Sequence, residues 1–305
     1  MVNEETMMNG IKTSLRHILA LAGLMCCWHA TALAQSGWAV DMNWAKVPGG
    51  EWDGATTWID ADGHGQVLVM VRTAPFFRLF DRDGNFIRSW GENDNYGNAH
   101  SVTYDTQGFV WATDSVRHAV HRYNPEGEIV FTLGTPDEAG DNKSATRFNQ
   151  PNHVFIAANG DILVSDGYVN SRVVQFDSQG NYLRQFGGTK GSGNGELDTP
   201  HGVAVDSTGR VLVNDSGNQR VSVFDSEGNF LESWPVRSRG GIAVDASDTV
   251  YVSDVNAGAV NILRNGLVVD SVAVEGRPHG LALDSNGSLY VSDSLGRKVM
   301  EISRQ

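Results

Sequence analysis

Five stretches of this chain are copies of one another. "AHSVTYDTQGFVWATD" from Ala99, "PNHVFIAANGDILVSD" from Pro151, "PHGVAVDSTGRVLVND" from Pro200, "GGIAVDASDTVYVSD" from Gly240 and "PHGLALDSNGSLYVSD" from Pro278 align on their final Asp. Each runs on through a short turn into a second apolar run, such as "RVVQFDSQGNYLRQFG". A sixth, more divergent copy spans Thr56 to Gly91. Inside each copy the apolar residues come in short alternating runs divided by D-x-x-G and N-G turn signals, the pattern of successive antiparallel strands. A unit of four short strands repeated every ~35 to 50 residues reads as a propeller blade, because no copy can bury its apolar faces alone. The expected fold is all-β, a six-bladed β-propeller. The last copy along the chain, from Pro278, stops at Arg304-Gln305, before its outermost strand. The segment "GWAVDMNWAKVP" at Gly37 to Pro48 is expected to supply that strand and close the ring.

Composition narrows the partners. The 305 residues carry a formal charge of −13, which repels phosphate backbones, and no Lys/Arg-rich stripe overrides it. Nucleic acid is not an expected partner, and a monomer is expected. Residues 1 to 34 read as a signal peptide rather than fold. Lys12 and Arg16 precede the apolar "ILALAGLMCCWHATALA", and Ala32-Leu33-Ala34 gives the small-x-small pattern of a cleavage site. The apolar part falls short of the ~20 residues that span a bilayer, so stable membrane insertion is not expected. A secreted or periplasmic protein follows, with a propeller from residue 35 to 305. Both cysteines, Cys26 and Cys27, lie in the leader, so the mature chain would contain no disulfide.

The aligned aspartates, Asp114, Asp166, Asp215, Asp254 and Asp293, are explained by local structure, since a turn carboxylate that caps backbone N–H groups needs no chemistry. Fourteen residues before each stand His100, Asn152, His201, Gly240 and His279, and the matching place in the first copy is about Thr56. Histidine therefore occupies this register in blades 2, 4 and 6. Equivalent positions of a propeller are related by rotation about its channel, so three on alternate blades converge on one point if they face inward. Three imidazoles with the remaining direction open form the ligand set of a catalytic zinc site. His153 is one place out of register and is expected to point elsewhere. His118 and His121 are placed on an outer strand and His64 in a turn, all structural. Tyr168, in "VSDGYVNSRVVQF", sits at a turn where the other copies carry no aromatic residue.

The aspartate followed by Asn/Arg and an apolar run resembles the NHL repeat. The residues around the register resemble a particular family of such propellers, the peptidyl-α-hydroxyglycine α-amidating lyases. "SDGYVNSRVVQF" is similar to that family's tyrosine-bearing blade, and "PHGVAVD", "PHGLALD" and "AHSVTYD" to its zinc-histidine motifs. The resemblance implies a six-bladed propeller that binds Zn2+ through His100, His201 and His279, with Tyr168 as catalytic tyrosine and Arg72, in "VMVRTAP", as an active-site arginine. It implies cleavage of the N–C bond of a peptidyl-α-hydroxyglycine, or a small related carbinolamide, to an amide and glyoxylate. Tyr168 would take the hydroxyl proton, its phenol made acidic by the metal and by Arg72. The family also binds Ca2+ in its channel through an Asp that is Gly280 here, which leaves that ion without its carboxylate. Its methionine before the last histidine is Arg277, a candidate to grip the substrate carboxylate, and a second arginine is Ser216. Two other readings compete. One is a non-catalytic binding propeller with no stoichiometric metal. The other is a lactonase-type hydrolase, which needs carboxylate and amide ligands to a hard cation that the axial positions do not offer.

Overall fold

The computed structural model describes residues 37–305; the leader read at residues 1 to 34 lies outside them. Among the described residues there are six four-stranded antiparallel sheets and one short 3-10 turn. No helix among them is long and apolar enough to cross a membrane.

Each sheet is one sequence copy. The innermost strands are Thr56–Ala61, Ala99–Tyr104, His153–Ile156, Pro200–Val205, Ile242–Val244 and Pro278–Leu283, for blades 1 to 6 in turn. Each packs against the next, and the sixth packs against the first, which closes the ring. The sixth blade is completed as expected. Trp38–Asp41 pairs antiparallel with Lys298–Arg304, Trp38 opposite Arg304 and Asp41 opposite Glu301. Trp38 also donates its indole N–H to Asp270 of blade 5 (2.9 Å), so the closing strand ties two blades together.

The second strand of every blade is the most buried, as in "VWATD" of blade 2 or "LYVSD" of blade 6. Its residues alternate between the two faces of the sheet, and both faces are covered by neighbouring blades. Six apolar clusters result, one between each adjacent pair of blades. The aspartates that end these strands are structural, as the repeat suggested. Asp114 accepts the backbone N–H of Gly97, Asn98, Val116 and Arg117, fastening the incoming loop and the following turn at once. Asp166 accepts the Asn149 N–H and forms a buried ion pair with Arg172 (3.0 Å).

Two expectations shift in detail. Cross-strand pairing sets Thr56 opposite Val71 just as Ala99 faces Asp114, so the blade 1 residue equivalent to the histidines is Thr57, one place beyond Thr56. The N-terminal part of that blade diverges too far from the other copies for counting alone to fix the register. His121 lies on the third strand of blade 2, not the outermost, and His118 in the turn before it at φ 60°, its Nδ1 accepting the Gln150 N–H.

Candidate metal centre and active site

His100, His201 and His279 are the second residues of the innermost strands of blades 2, 4 and 6, and all three are buried. Their ligand nitrogens all lie within 4.8 Å of one another. What aims them is the intervening blades. His100 Nδ1 donates to the carbonyl of Asn152 (2.6 Å), His201 Nδ1 to that of Gly240 (3.0 Å) and His279 Nδ1 to that of Thr57 (2.6 Å). These carbonyls belong to the same register position on blades 3, 5 and 1. A carbonyl can only accept, so each Nδ1 carries the proton and each Nε2 presents its lone pair. Burial holds all three pKa values down, that of His279 to about 4, and for His100 and His201 the other imidazoles add to the effect. Three neutral rings with unprotonated Nε2 atoms close to one another form a donor set that could hold a metal ion.

Tyr168 closes the open side. It leaves the turn after the second strand of blade 3, and its hydroxyl lies 2.8 Å from His100 Nε2 and 3.3 Å from His201 Nε2. The residue is 40% exposed, yet its hydroxyl end is enclosed by the imidazoles. The turn that carries it permits no side chain at Gly167, where a Cβ would strike the Pro200 carbonyl oxygen. Gly167 N–H donates to Asn152 Oδ1 (2.9 Å), which anchors the turn to the register position of its own blade. Asn152 Nδ2 is buried without a hydrogen-bond partner among the described residues, and the Asn152 amide acts to favour the Tyr168 phenolate. The expected acidification of the phenol is opposed by the chain itself: burial raises the Tyr168 pKa, and Arg72, Arg239 and Asn152 only partly counter it.

Arg72 follows the second strand of blade 1, at a connection equivalent to the one that carries Tyr168, and its charge depresses His100 and His279. Arg277, just before the blade 6 strand, acts on His279. Arg239, which the sequence reading passed over, acts on Tyr168, His201 and His279 together. All three arginines are exposed. Arg239 had a readable signal: it stands immediately before the register residue Gly240 of blade 5. Ser216, where a second arginine was sought, is buried instead.

The floor of the site was also missed. Trp58, one residue after the blade 1 register position, is 2% exposed and lies against all three imidazoles, with ring centroids 5.4 to 5.9 Å away. It stacks on His153 at 4.6 Å and 26°, so the out-of-register histidine helps to block the channel beneath the triad. Of the other copies, blade 3 carries His153 at the same place and the remaining four carry small residues, Ser101, Gly202, Gly241 and Gly280. This arrangement does not suit calcium. Gly280 offers no carboxylate, and a Cβ there would meet Trp58 Cα at 2.7 Å and Ser292 Oγ at 2.9 Å.

Comparison with known proteins agrees with this architecture. The NHL repeat model matches residues 197–224. Mouse NHL repeat-containing protein 3 is 30% identical over 291 residues, covering 86% of this chain and 82% of that protein. The chain belongs to the family of NHL repeat-containing proteins. Its human counterpart is 32% identical over 208 residues, 64% of this chain, and the chain spans only 59% of the human protein's length. A Caenorhabditis elegans protein named as a probable peptidyl-alpha-hydroxyglycine alpha-amidating lyase is 28% identical over 230 residues, covering 67% of this chain and 63% of that protein. Among solved structures, a streptogramin B lyase superposes with a TM-score of 0.66 over 88% of this chain and 98% of its own at 12% identity, a likeness of fold alone. The NHL repeat match falls on blade 4, between Leu197 and Phe224, and includes His201.

Proposed function

We propose that this NHL-repeat protein is a metal-dependent carbon–nitrogen lyase that cleaves a peptidyl-α-hydroxyglycine, or a small carbinolamide of the same kind, into an amide and glyoxylate. One observation carries the reading: an aromatic hydroxyl that the repeat does not require lies within hydrogen-bond distance of two of three converging, neutral histidines. The relatives named as amidating lyases support it.

His100, His201 and His279 would hold the ion, and their nitrogen-only donor set favours Zn2+ over a hard cation. Zinc supplies Lewis acidity, stabilising negative charge that develops on a hydroxyl oxygen. Tyr168, as the phenolate, receives the α-hydroxyl proton as the C–O bond becomes a carbonyl and the N–C bond breaks, and it returns that proton to the departing amide nitrogen. Asn152 Nδ2 and the charges of Arg72 and Arg239 oppose the burial cost of the phenolate. Arg277 and Arg239 offer guanidinium forks at the rim for the carboxylate that leaves as glyoxylate. Trp58 and His153 close the channel below, keeping water from that side.

The test is glyoxylate release from α-hydroxyhippurate by the purified, zinc-supplemented protein. Turnover above the uncatalysed rate supports the lyase. Bound zinc without glyoxylate rejects it and leaves a metal site of other purpose, and a protein that takes up no zinc favours a binding propeller.

A further inference from the structure

The innermost strands begin near the triad and end at a second mouth on the far side of Trp58. The C-terminal halves of all six enclose a cavity of about 230 Å3 there. Its walls mix polar and apolar surface in similar measure, the apolar part supplied by side chains such as Phe155, Ile242 and Leu281, and the Trp58–His153 stack separates it from the triad. One carboxylate faces this space. Asp60, the fifth residue of the blade 1 strand, accepts the Tyr104 N–H at 2.7 Å, and among the described residues no Lys or Arg forms an ion pair with it. Other polar groups of the lining are already engaged: Thr103 Oγ1 donates to the Val154 carbonyl, and His153 Nδ1 accepts the Val203 N–H. Burial pushes the Asp60 carboxyl up to about 7 against the backbone N–H groups of Tyr104 and Ala61, with Asp62 adding to the rise. A cation bound beside this carboxyl would favour its charged form.

We propose that this mouth is a second ligand site, taking a small organic cation, a primary alkylammonium whose charge pairs with Asp60 and whose chain lies on the apolar wall. A calcium or magnesium ion requires six or more oxygen ligands, and one carboxylate among aliphatic and aromatic side chains does not provide them. An anion would meet Asp60 and the −13 charge of the chain. The volume admits a ligand of a few carbon atoms, below the ~300 Å3 of drug-sized pockets. This site is independent of the lyase reading.

Isothermal titration calorimetry of the purified protein with n-butylammonium, and with neutral n-butanol, tests it. Saturable binding of about one butylammonium per chain is expected, at least tenfold tighter than butanol. Asp60→Asn keeps an acceptor for the Tyr104 N–H and should weaken butylammonium at least tenfold while leaving butanol unchanged. Ala243→Phe fills the cavity from blade 5 with Asp60 intact and should abolish binding of both. No saturable heat with the unsubstituted protein, equal affinities for the two probes, or unchanged butylammonium binding in Asp60→Asn would each overturn the proposal.

Discussion

Imidazoles packed ring against ring resist protonation, and the alternate-blade arrangement turns that resistance into a donor set. Each Nδ1–H is held by a carbonyl of the next blade, so charging an Nε2 would place a cation among neutral neighbours in a buried site. His153 shows the same physics without a role as ligand. Its pKa is pushed down to about 3, so between pH 6.5, where it titrates in an unfolded chain, and about 3 the folded protein binds fewer protons than the unfolded one. Stability must therefore fall as pH falls through that window, by up to about 1.4 kcal/mol per pH unit for one withheld proton. His153→Gln, compared with the unsubstituted protein by urea denaturation at pH 7 and pH 4.5, should lose roughly 2 kcal/mol less over that interval. Equal losses would show that His153 is not held neutral. At the site, Tyr168→Phe should lower turnover at least a hundredfold, of the order general base catalysis contributes, with zinc content unchanged. Activity that survives removes Tyr168 as the base.

The blade connections decide which of these residues could be found by reading. The triad was legible because a fixed spacing to a turn aspartate carries register from copy to copy. Tyr168 was legible because its turn departs from the repeat. Trp58 was not, since its significance lies in the close approach that Gly280 permits, and glycine in a strand has many other causes. Arg239 was missed because an arginine before a strand is read as solvated until the ring brings it toward the other blades. For the phenol, sequence names the nearby cations but not the depth of burial that opposes them. Two substitutions test the connections. Gly167→Ala forces the turn away from Pro200, so it should cost about 1–3 kcal/mol and reduce kcat more than metal affinity. Arg172→Ala leaves Asp166 buried without its partner and should cost about 3–5 kcal/mol by chemical denaturation. A loss below ~1 kcal/mol would mean that Asn170 and the Asn149 N–H satisfy the carboxylate alone.

Residues 37–305 form a ring whose ends must meet for its centre to exist. His279 donates to Thr57 across the join between the last blade and the first, so the metal site depends on closure directly. Closure rests on Trp38, which is 9% exposed, packs edge-on to Tyr251 and lies under the Arg304 guanidinium at 4.8 Å. Trp38→Ala should cost about 3 kcal/mol and favour self-association on size-exclusion chromatography, because an unlatched Lys298–Arg304 strand presents an open edge. The claim on which the rest depends is that alternate blades build one metal centre. It is tested most directly by the zinc content of the protein after equilibration with micromolar zinc and gel filtration, alongside His201→Ala. About one zinc per chain is expected in the first and less than a tenth of that in the second, with both folded by circular dichroism. Zinc absent from the unsubstituted protein, or retained equally by His201→Ala, would contradict it.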